Sequence, residues 1–101
     1  MFASKYFNVG QVFVTHGINT AMMENKRFAV EVGLCLRRYC VKDFGIISEE
    51  DKQTNKESLN HPDDLYLLAA YQTCNGKIWI ITNSGEEIGK NITTVLFQNE
   101  R

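Results

Sequence analysis

The sequence has little proline, little cysteine and no long hydrophobic run. Its 101 residues include one proline and three cysteines, and an odd number of cysteines in a chain without an export signal disfavours a disulfide framework. No apolar run reaches the roughly 18 residues of a membrane-spanning helix, and the first residues lack the apolar stretch of a secretory signal. We therefore expect a cytoplasmic protein, without membrane association, in which Cys35, Cys40 and Cys74 are buried free thiols.

The sequence also has no large excess of positive or negative charge. Eleven basic and 12 acidic side chains give a net charge of −1, which argues against binding driven mainly by nucleic-acid phosphates. The distribution is uneven, because residues 1–42 carry six basic and two acidic side chains, whereas residues 43–64 carry two and seven. Hydrophobic residues make up 44% of the chain, which is enough to bury a core without a metal or other cofactor.

The spacing of apolar residues predicts the first elements. Residues 11–16, QVFVTH, are rich in β-branched and aromatic side chains and predict a strand. From Lys26 the spacing becomes helical, and Asn19, Thr20 or Asn25 offers a cap before it. The apolar residues at helical spacing, which we expect to face the core, are Phe28, Val32, Cys35, Leu36 and Tyr39.

The last third of the chain predicts three strands. The runs LYLLAAYQTC and KIWIIT flank Asn75 and Gly76, the dipeptide most typical of a type I′ hairpin turn. A turn at these two residues sets Thr73 opposite Ile78 and gives the second strand large apolar groups on both faces, which indicates a central strand. A polar, glycine-containing loop follows over residues 83–91, and ITTVLF then predicts a last strand.

The segment DFGIISEEDKQTNKESLN, residues 43–60, contains five of the acidic residues. Ser48 and Asp51 have the spacing of a capping box, in which the serine side chain accepts a hydrogen bond from a backbone N–H. The two glutamates between them then occupy the first helical turn, where the helix dipole favours negative charge by about 0.3 to 1 kcal/mol. We interpret the acids as the start of a polar surface helix; a functional acid site and a loop are the alternatives.

The order strand, helix, helix and then three strands predicts an α+β fold. We expect one domain over residues 1–101, because a single core suits a chain of this length. The predicted sheet is mostly antiparallel with about four strands, and the longer of the two helices packs on it.

No motif identifies a reactive centre. Residues 85–91, GEEIGKN, differ from a phosphate loop because three residues instead of four separate the glycines and because strands flank the segment. Cys35 and Cys40 would point about 140° apart on a helix, which disfavours a shared zinc site. His16 and His61 have no serine or cysteine nucleophile near them in the sequence.

A second apolar stripe runs along the helix that begins at Lys26, roughly opposite its core face. Three aliphatic residues are flanked there by arginines, a composition typical of protein interfaces. Alternatively, the stripe is covered within the chain by MFASKYF or by the run near Leu65. The candidate partner-binding residues are Arg27, Val30, Leu34, Arg37, Arg38 and Val41.

Several runs occur together in the order VFVTHGI, KDFG, SEEDKQTNKESL, LLAAY, KIWIIT and TTVLF. In this combination the chain resembles, from Val12 to Phe97, a family of small uncharacterised proteins carried by bacterial plasmids, integrative elements and phages. The chain departs from the family pattern in its longer loop over residues 83–91 and at Gln98 and Arg101. The resemblance implies a mobile-element origin and a bacterial cytoplasm, and it implies no activity.

Three functional hypotheses follow. The first is a non-enzymatic interaction module that binds a host or element-encoded protein or a second copy of itself, for example as an anti-defence or regulatory inhibitor. The second is a nucleic-acid-associated accessory protein, and the third is a small hydrolase or ligand-binding domain that uses His16 or the carboxylates. The basic residues of the second hypothesis are Lys26, Arg27, Arg37, Arg38 and Lys42.

The predicted cap can be tested by substitution. Ser48→Ala removes the side-chain acceptor for a backbone N–H at the helix start. We expect the free energy of unfolding to fall by about 0.5 to 2 kcal/mol, measured by thermal melting. An unchanged melting temperature would contradict the capping role.

Overall fold

The computed structural model describes residues 2–85 and 90–101 and has an α+β architecture. Its helices are α1 (His16–Glu24), α2 (Lys26–Cys40) and α3 (Glu49–Ser58), and its strands are β1 (Gln11–Val14), β2 (Tyr66–Thr73), β3 (Gly76–Asn83) and β4 (Ile92–Phe97). The strands form one sheet in the order β1-β4-β3-β2, in which β1 runs parallel to β4 and the other two pairs are antiparallel. The predicted fold class is confirmed, whereas the prediction of two helices is wrong because the described residues form three.

The additional helix, α1, begins where a strand was expected to continue. β1 ends at Val14, and the Thr15 hydroxyl accepts a hydrogen bond from the N–H of Ile18 at 3.2 Å. This cap starts the helix, so His16 is the first residue of α1 rather than the last of a strand. The fully buried Ile18 anchors α1 to the core.

Helix α2 follows the predicted pattern. Asn25 is its cap, accepting hydrogen bonds from the N–H groups of Arg27 and Phe28 at 3.0 and 3.3 Å. The predicted core face is confirmed, because every residue on it is buried in the main hydrophobic core with β2, β3 and β4. These residues are Phe28, Val32, Cys35, Leu36 and Tyr39.

The hairpin between β2 and β3 has a different register from the prediction. Thr73 lies opposite Gly76 instead of Ile78, so the turn residues are Cys74 and Asn75. The Thr73 hydroxyl accepts from the N–H of Asn75 at 3.1 Å and donates to the carbonyl of Gly76 at 2.6 Å. A type I′ turn needs a positive φ at both central residues, and here only Gly76 has one, at 100°.

The shift of two residues leaves each side chain on its predicted face, because strand side chains alternate with a period of two. Ile78 and Ile80 belong to the main core beneath the helices α1 and α2. Trp79 points to the other face, where it packs with Leu68 and Leu96. β3 is therefore a central strand with apolar cover on both faces, as predicted.

A chain of buried hydroxyls fastens the amino-terminal segment to the core. The Thr93 hydroxyl donates to the carbonyl of Val9 at 2.6 Å, since a carbonyl can only accept. Thr93 must then accept from Thr82 at 2.7 Å, and Thr82 from Tyr39 at 2.6 Å. Burial raises the pKa of Tyr39 far above its usual value. The Tyr39 hydroxyl therefore stays protonated and is the first donor in this series of hydrogen bonds.

The outer edge of β2 is closed by the segment that precedes it. The carbonyl of Phe44 and the N–H of Ile46 bond the backbone of Ala70 at 3.1 and 2.7 Å. Farther along, the buried Asn55 of α3 donates to the carbonyl of Leu68 at 2.7 Å and accepts from its N–H at 3.0 Å. An asparagine side chain thus takes the place of a neighbouring strand.

Removal of the Asn55 amide should be costly because it leaves the N–H and the carbonyl of Leu68 buried without partners. We expect Asn55→Ala to lower the free energy of unfolding by about 2 to 4 kcal/mol, measured by urea denaturation. Gln53→Ala, on the exposed side of the same helix, is the control and should change stability by less than about 0.5 kcal/mol. Equal effects of the two substitutions would contradict the structural role of Asn55.

Candidate interaction surface on helix α2

The second apolar stripe of α2 lies exposed in the structure. Val30, Leu34 and Val41 have 63%, 51% and 62% of their surface accessible, and we call these three residues the α2 stripe. Val30 and Leu34 lie about 40° apart around the helix axis. Leu65 does not cover them, because it is buried in the main core with 3% of its surface accessible.

Phe2 connects the α2 stripe to the beginning of β1. The segment that carries it is held by the Ser4 hydroxyl, which donates to the carbonyl of Cys40 at 2.6 Å, and by the edge contact of Phe7 with Tyr39. Three adjoining depressions of about 250 to 370 Å³ share Phe2, and we call them together the Phe2 groove. Its other principal lining residues are Val30, Leu34, Arg37, Val41, Gln11 and Val12.

The three predicted arginines have different surroundings. Arg38 holds Asp43 with two hydrogen bonds of 2.7 and 3.2 Å, which lowers the pKa of the Asp43 carboxyl and raises that of the guanidinium. Arg27 makes a loose ion pair of 3.9 Å with Glu31. Arg37 lines the groove and makes no ion pair within the described ranges 2–85 and 90–101. Among these three arginines, Arg37 is therefore the one whose charge is available to a ligand.

Arg38 has a structural role in addition to its ion pair. Its guanidinium lies 4.9 Å from the centre of the Tyr71 ring, and the Tyr71 hydroxyl donates to the carbonyl of Asp43 at 2.7 Å. These contacts fasten the turn after α2 to β2. The structure thus groups Val30, Leu34, Arg37 and Val41 at one groove and assigns Arg38 mainly to the fold.

Lys42, two residues after the end of α2, has an unusual backbone conformation. Its φ is 66°, the left-handed region in which glycine is usual. The N–H groups of Lys42 and Asp43 bond the carbonyls of Tyr39 and Arg38 at 3.1 and 2.9 Å, which is the Schellman pattern of a helix end. The Lys42 ammonium lies 4.7 Å from the centre of the Tyr6 ring.

The acidic segment serves a helix terminus. The Ser48 hydroxyl accepts from the N–H of Asp51 at 3.0 Å, which confirms Ser48 as the cap of α3. Glu49 is exposed and pairs with Lys52 at 3.1 Å. Among residues 2–85 and 90–101, no three His, Cys, Asp or Glu side chains lie close enough together to hold a metal ion.

The remaining candidate groups are dispersed. His16 begins α1, and His61 lies exposed just before a short 3₁₀ turn at Pro62–Asp64. The GEEIGKN segment falls partly on residues 86–89, outside the described ranges.

The three cysteines are free thiols, and the prediction that they are buried is confirmed for Cys35 and Cys40 but wrong for Cys74, which is exposed after the end of β2. Their pKa values are raised, which disfavours nucleophilic thiolates at neutral pH. Burial raises the pKa of Cys35 and Cys40. A hydrogen bond with Glu31 is the main cause of the raised pKa of the exposed Cys74.

Sequence reasoning missed the contribution of Phe2 and of β1 to this surface. The sequence offers MFASKYF only as a cover for the α2 stripe, whereas in the structure Phe2 flanks the stripe and leaves it exposed. The position of β1 at the edge of the sheet depends on the strand order, which is set by long-range contacts. The lack of charge and proline in QVFV was the available signal for an unprotected edge.

Comparisons of the chain with protein-family models, curated proteins and solved structures gave no match. The resemblance to proteins of mobile elements therefore stays a prediction. Within the described part of the chain, no helix combines the length and apolar character needed to cross a bilayer.

The conformation of Lys42 gives a prediction that separates backbone strain from the side-chain contact. Lys42→Gly and Lys42→Ala both remove the ammonium from the Tyr6 ring, but only alanine keeps a Cβ in the left-handed conformation. We expect the glycine variant to be more stable than the alanine variant by about 1 kcal/mol, measured by thermal melting. A glycine variant no more stable than the alanine variant would contradict the strained helix end.

Proposed function

We propose that this chain is a non-enzymatic interaction module that binds a partner protein through the α2 stripe and the Phe2 groove. The observation that carries the proposal is the exposure of Val30, Leu34 and Val41, each more than half accessible, around a groove that contains Arg37. Aliphatic residues gathered on a surface cost free energy in water and become favourable when a partner covers them. Arginine is enriched in such interfaces, where its planar group bonds acceptors of the partner.

The charge around the groove indicates which chemistry the proposed partner should have. Arg37 has no ion pair among the described residues, and Lys26 lies exposed at the start of the same helix. The nearest counter-charges on α2 and the turn after it, Glu31 and Asp43, are engaged by Arg27 and Arg38. We therefore expect a partner segment with apolar side chains for the groove and a carboxylate for Arg37.

The resemblance to proteins of plasmids, integrative elements and phages adds a biological setting to this proposal. A module of this kind would act in the bacterial cytoplasm on a host or element-encoded protein, and inhibition of a defence system or of a regulator is one such role. The partner would then be a protein whose own binding surface exposes acidic and apolar side chains.

Protein binding is favoured over the two other hypotheses by the placement of the charges. Of the basic residues considered for nucleic acid, Arg38 is committed to Asp43 and Arg27 is near Glu31, which weakens the field that phosphates would meet. The acids after Ile47 lie in the first turn of α3, which Ser48 caps, and His16 lies at the start of α1. A hydrolase would require such groups to converge in one cleft.

The test uses a library of random-sequence peptides displayed on ribosomes. Peptides are selected on the wild-type protein and counter-selected on the variant Leu34→Asp, which places a carboxylate in the apolar stripe beside the expected acidic ligand. We expect the selected peptides to be enriched in Asp or Glu together with aliphatic residues. Synthetic versions should bind the variant at least about tenfold more weakly, measured by fluorescence anisotropy.

Tyr66→Asp is the matched control, because Tyr66 is comparably exposed at 42% but lies on the sheet face opposite α2. This variant should bind the selected peptides as the wild type does, and Leu34→Asp should retain the wild-type far-ultraviolet circular dichroism. Failure to enrich acidic peptides would overturn the proposal. Steeply salt-dependent binding of duplex DNA, lost on Arg37→Glu, would favour the nucleic-acid hypothesis in its place.

A further inference from the structure

We propose that the partner segment binds in an extended conformation and pairs with the free edge of β1 as a fifth strand of the sheet. This inference rests on the proposed function and specifies how the same surface is used. The Phe2 groove reaches Gln11 and Val12, so a segment lying in it is brought against the backbone of β1.

The register of β1 leaves a regular set of backbone groups pointing outward. The N–H groups of Gln11 and Thr15 bond the carbonyls of Asn91 and Val95 on the β4 side, both at 3.1 Å. Because N–H and C=O groups alternate in direction along a strand, those of Val12 and Val14 face the other way. Within residues 2–85 and 90–101 they have no hydrogen-bond partner. One added strand can therefore make four hydrogen bonds with these two residues.

The two edges of the sheet are treated differently. At β2 the backbone of Phe44 and Ile46 and the side chain of Asn55 occupy the outward-facing groups of Ala70 and Leu68. The sequence QVFV at β1 contains no charge and no proline, which are the usual means of blocking an exposed edge. β1 is thus the edge that can receive a strand.

Apolar surface is present on both sides of this edge. Val12 and Val14 point to the helical side of the sheet, next to the Phe2 groove. On the opposite face Phe13 and Ile92 have 48% and 43% of their surface accessible. An added strand places alternate side chains on these two faces, so the apolar residues that meet either face should recur at every second position of the ligand, with its carboxylate on the helical side near Arg37.

Charge favours a separate partner over a second copy of this chain. Two copies paired antiparallel through β1 would have their helical layers on the same face of the joint sheet. Their Phe2 grooves, each with an Arg37, would then flank one junction and repel each other. An acidic segment of another protein instead supplies the missing negative charge.

The periodicity of the peptides selected from the ribosome-displayed library is the first test. We expect apolar residues to recur at every second position rather than at the three-and-four spacing of an amphipathic helix. Acidic peptides with helical spacing would overturn the strand-pairing inference while leaving the proposed function intact. Failure to select acidic peptides at all would overturn the proposed function.

Amide hydrogen exchange with a synthetic selected peptide is the second test. The exchange of Val12 and Val14 should slow by at least about tenfold on binding, whereas Gln11 and Thr15, already bonded to β4, serve as internal controls and should change less. Unchanged exchange at Val12 and Val14 in the bound state would overturn strand addition. Slow exchange at Val12 and Val14 together with a dimer in sedimentation velocity, both without peptide, would assign the edge to a second copy.

Two variants complete the test. Val12→Pro removes one outward N–H at a position that does not donate to β4, whereas Val12→Thr keeps it. We expect the proline variant to bind the peptide at least about fivefold more weakly than the threonine variant. Equal binding by the two folded variants would contradict the inference. If the proline variant does not fold, the hydrogen exchange of Val12 and Val14 in the wild-type protein tests strand pairing instead.

Discussion

Three hydroxyl groups in the core can satisfy one another in only one direction, because the last of them must donate to the carbonyl of Val9. This order links α2, β3, β4 and the amino-terminal segment through Tyr39, Thr82 and Thr93. A break in it would leave polar groups buried without partners, which costs more free energy than the bonds themselves contribute. Tyr39, the first donor of the series, also contacts the ring of Phe7, so the segment that carries Phe2 beside α2 packs on the same part of the core.

The contrast between the two sheet edges follows from the same requirement. Asn55 pairs with both backbone groups of Leu68, so a mostly polar helix with one buried residue closes β2 together with the backbone of Phe44 and Ile46. Nothing in the described residues closes β1 in this way, and its apolar flanks remain accessible. The binding surface that we propose therefore lies where the fold leaves its own hydrogen bonding incomplete.

Local periodicity was sufficient to predict α2 and its core face, because the residues from Phe28 to Tyr39 repeat at helical spacing over several turns. The cap at Ser48 and the strand over residues 92–97 could also be predicted from the local sequence. The hairpin register was wrong because Thr73 forms the turn through its hydroxyl, and Glu31 of α2 accepts the N–H of Cys74 at 2.9 Å. Contacts of this kind, like the strand order and the pairing of Asn55, depend on residues far apart in the chain. Local sequence patterns therefore do not predict them.

The closure of β2 also limits how far this sheet can extend. A protein with two receptive edges can add copies at both sides and grow without end, as fibrils do. Here the side chain of Asn55 ends the hydrogen-bond ladder at one border. Pairing between two copies through β1 would use up that border in both of them, so self-association of this protein by its sheet edge would end at a dimer instead of a polymer.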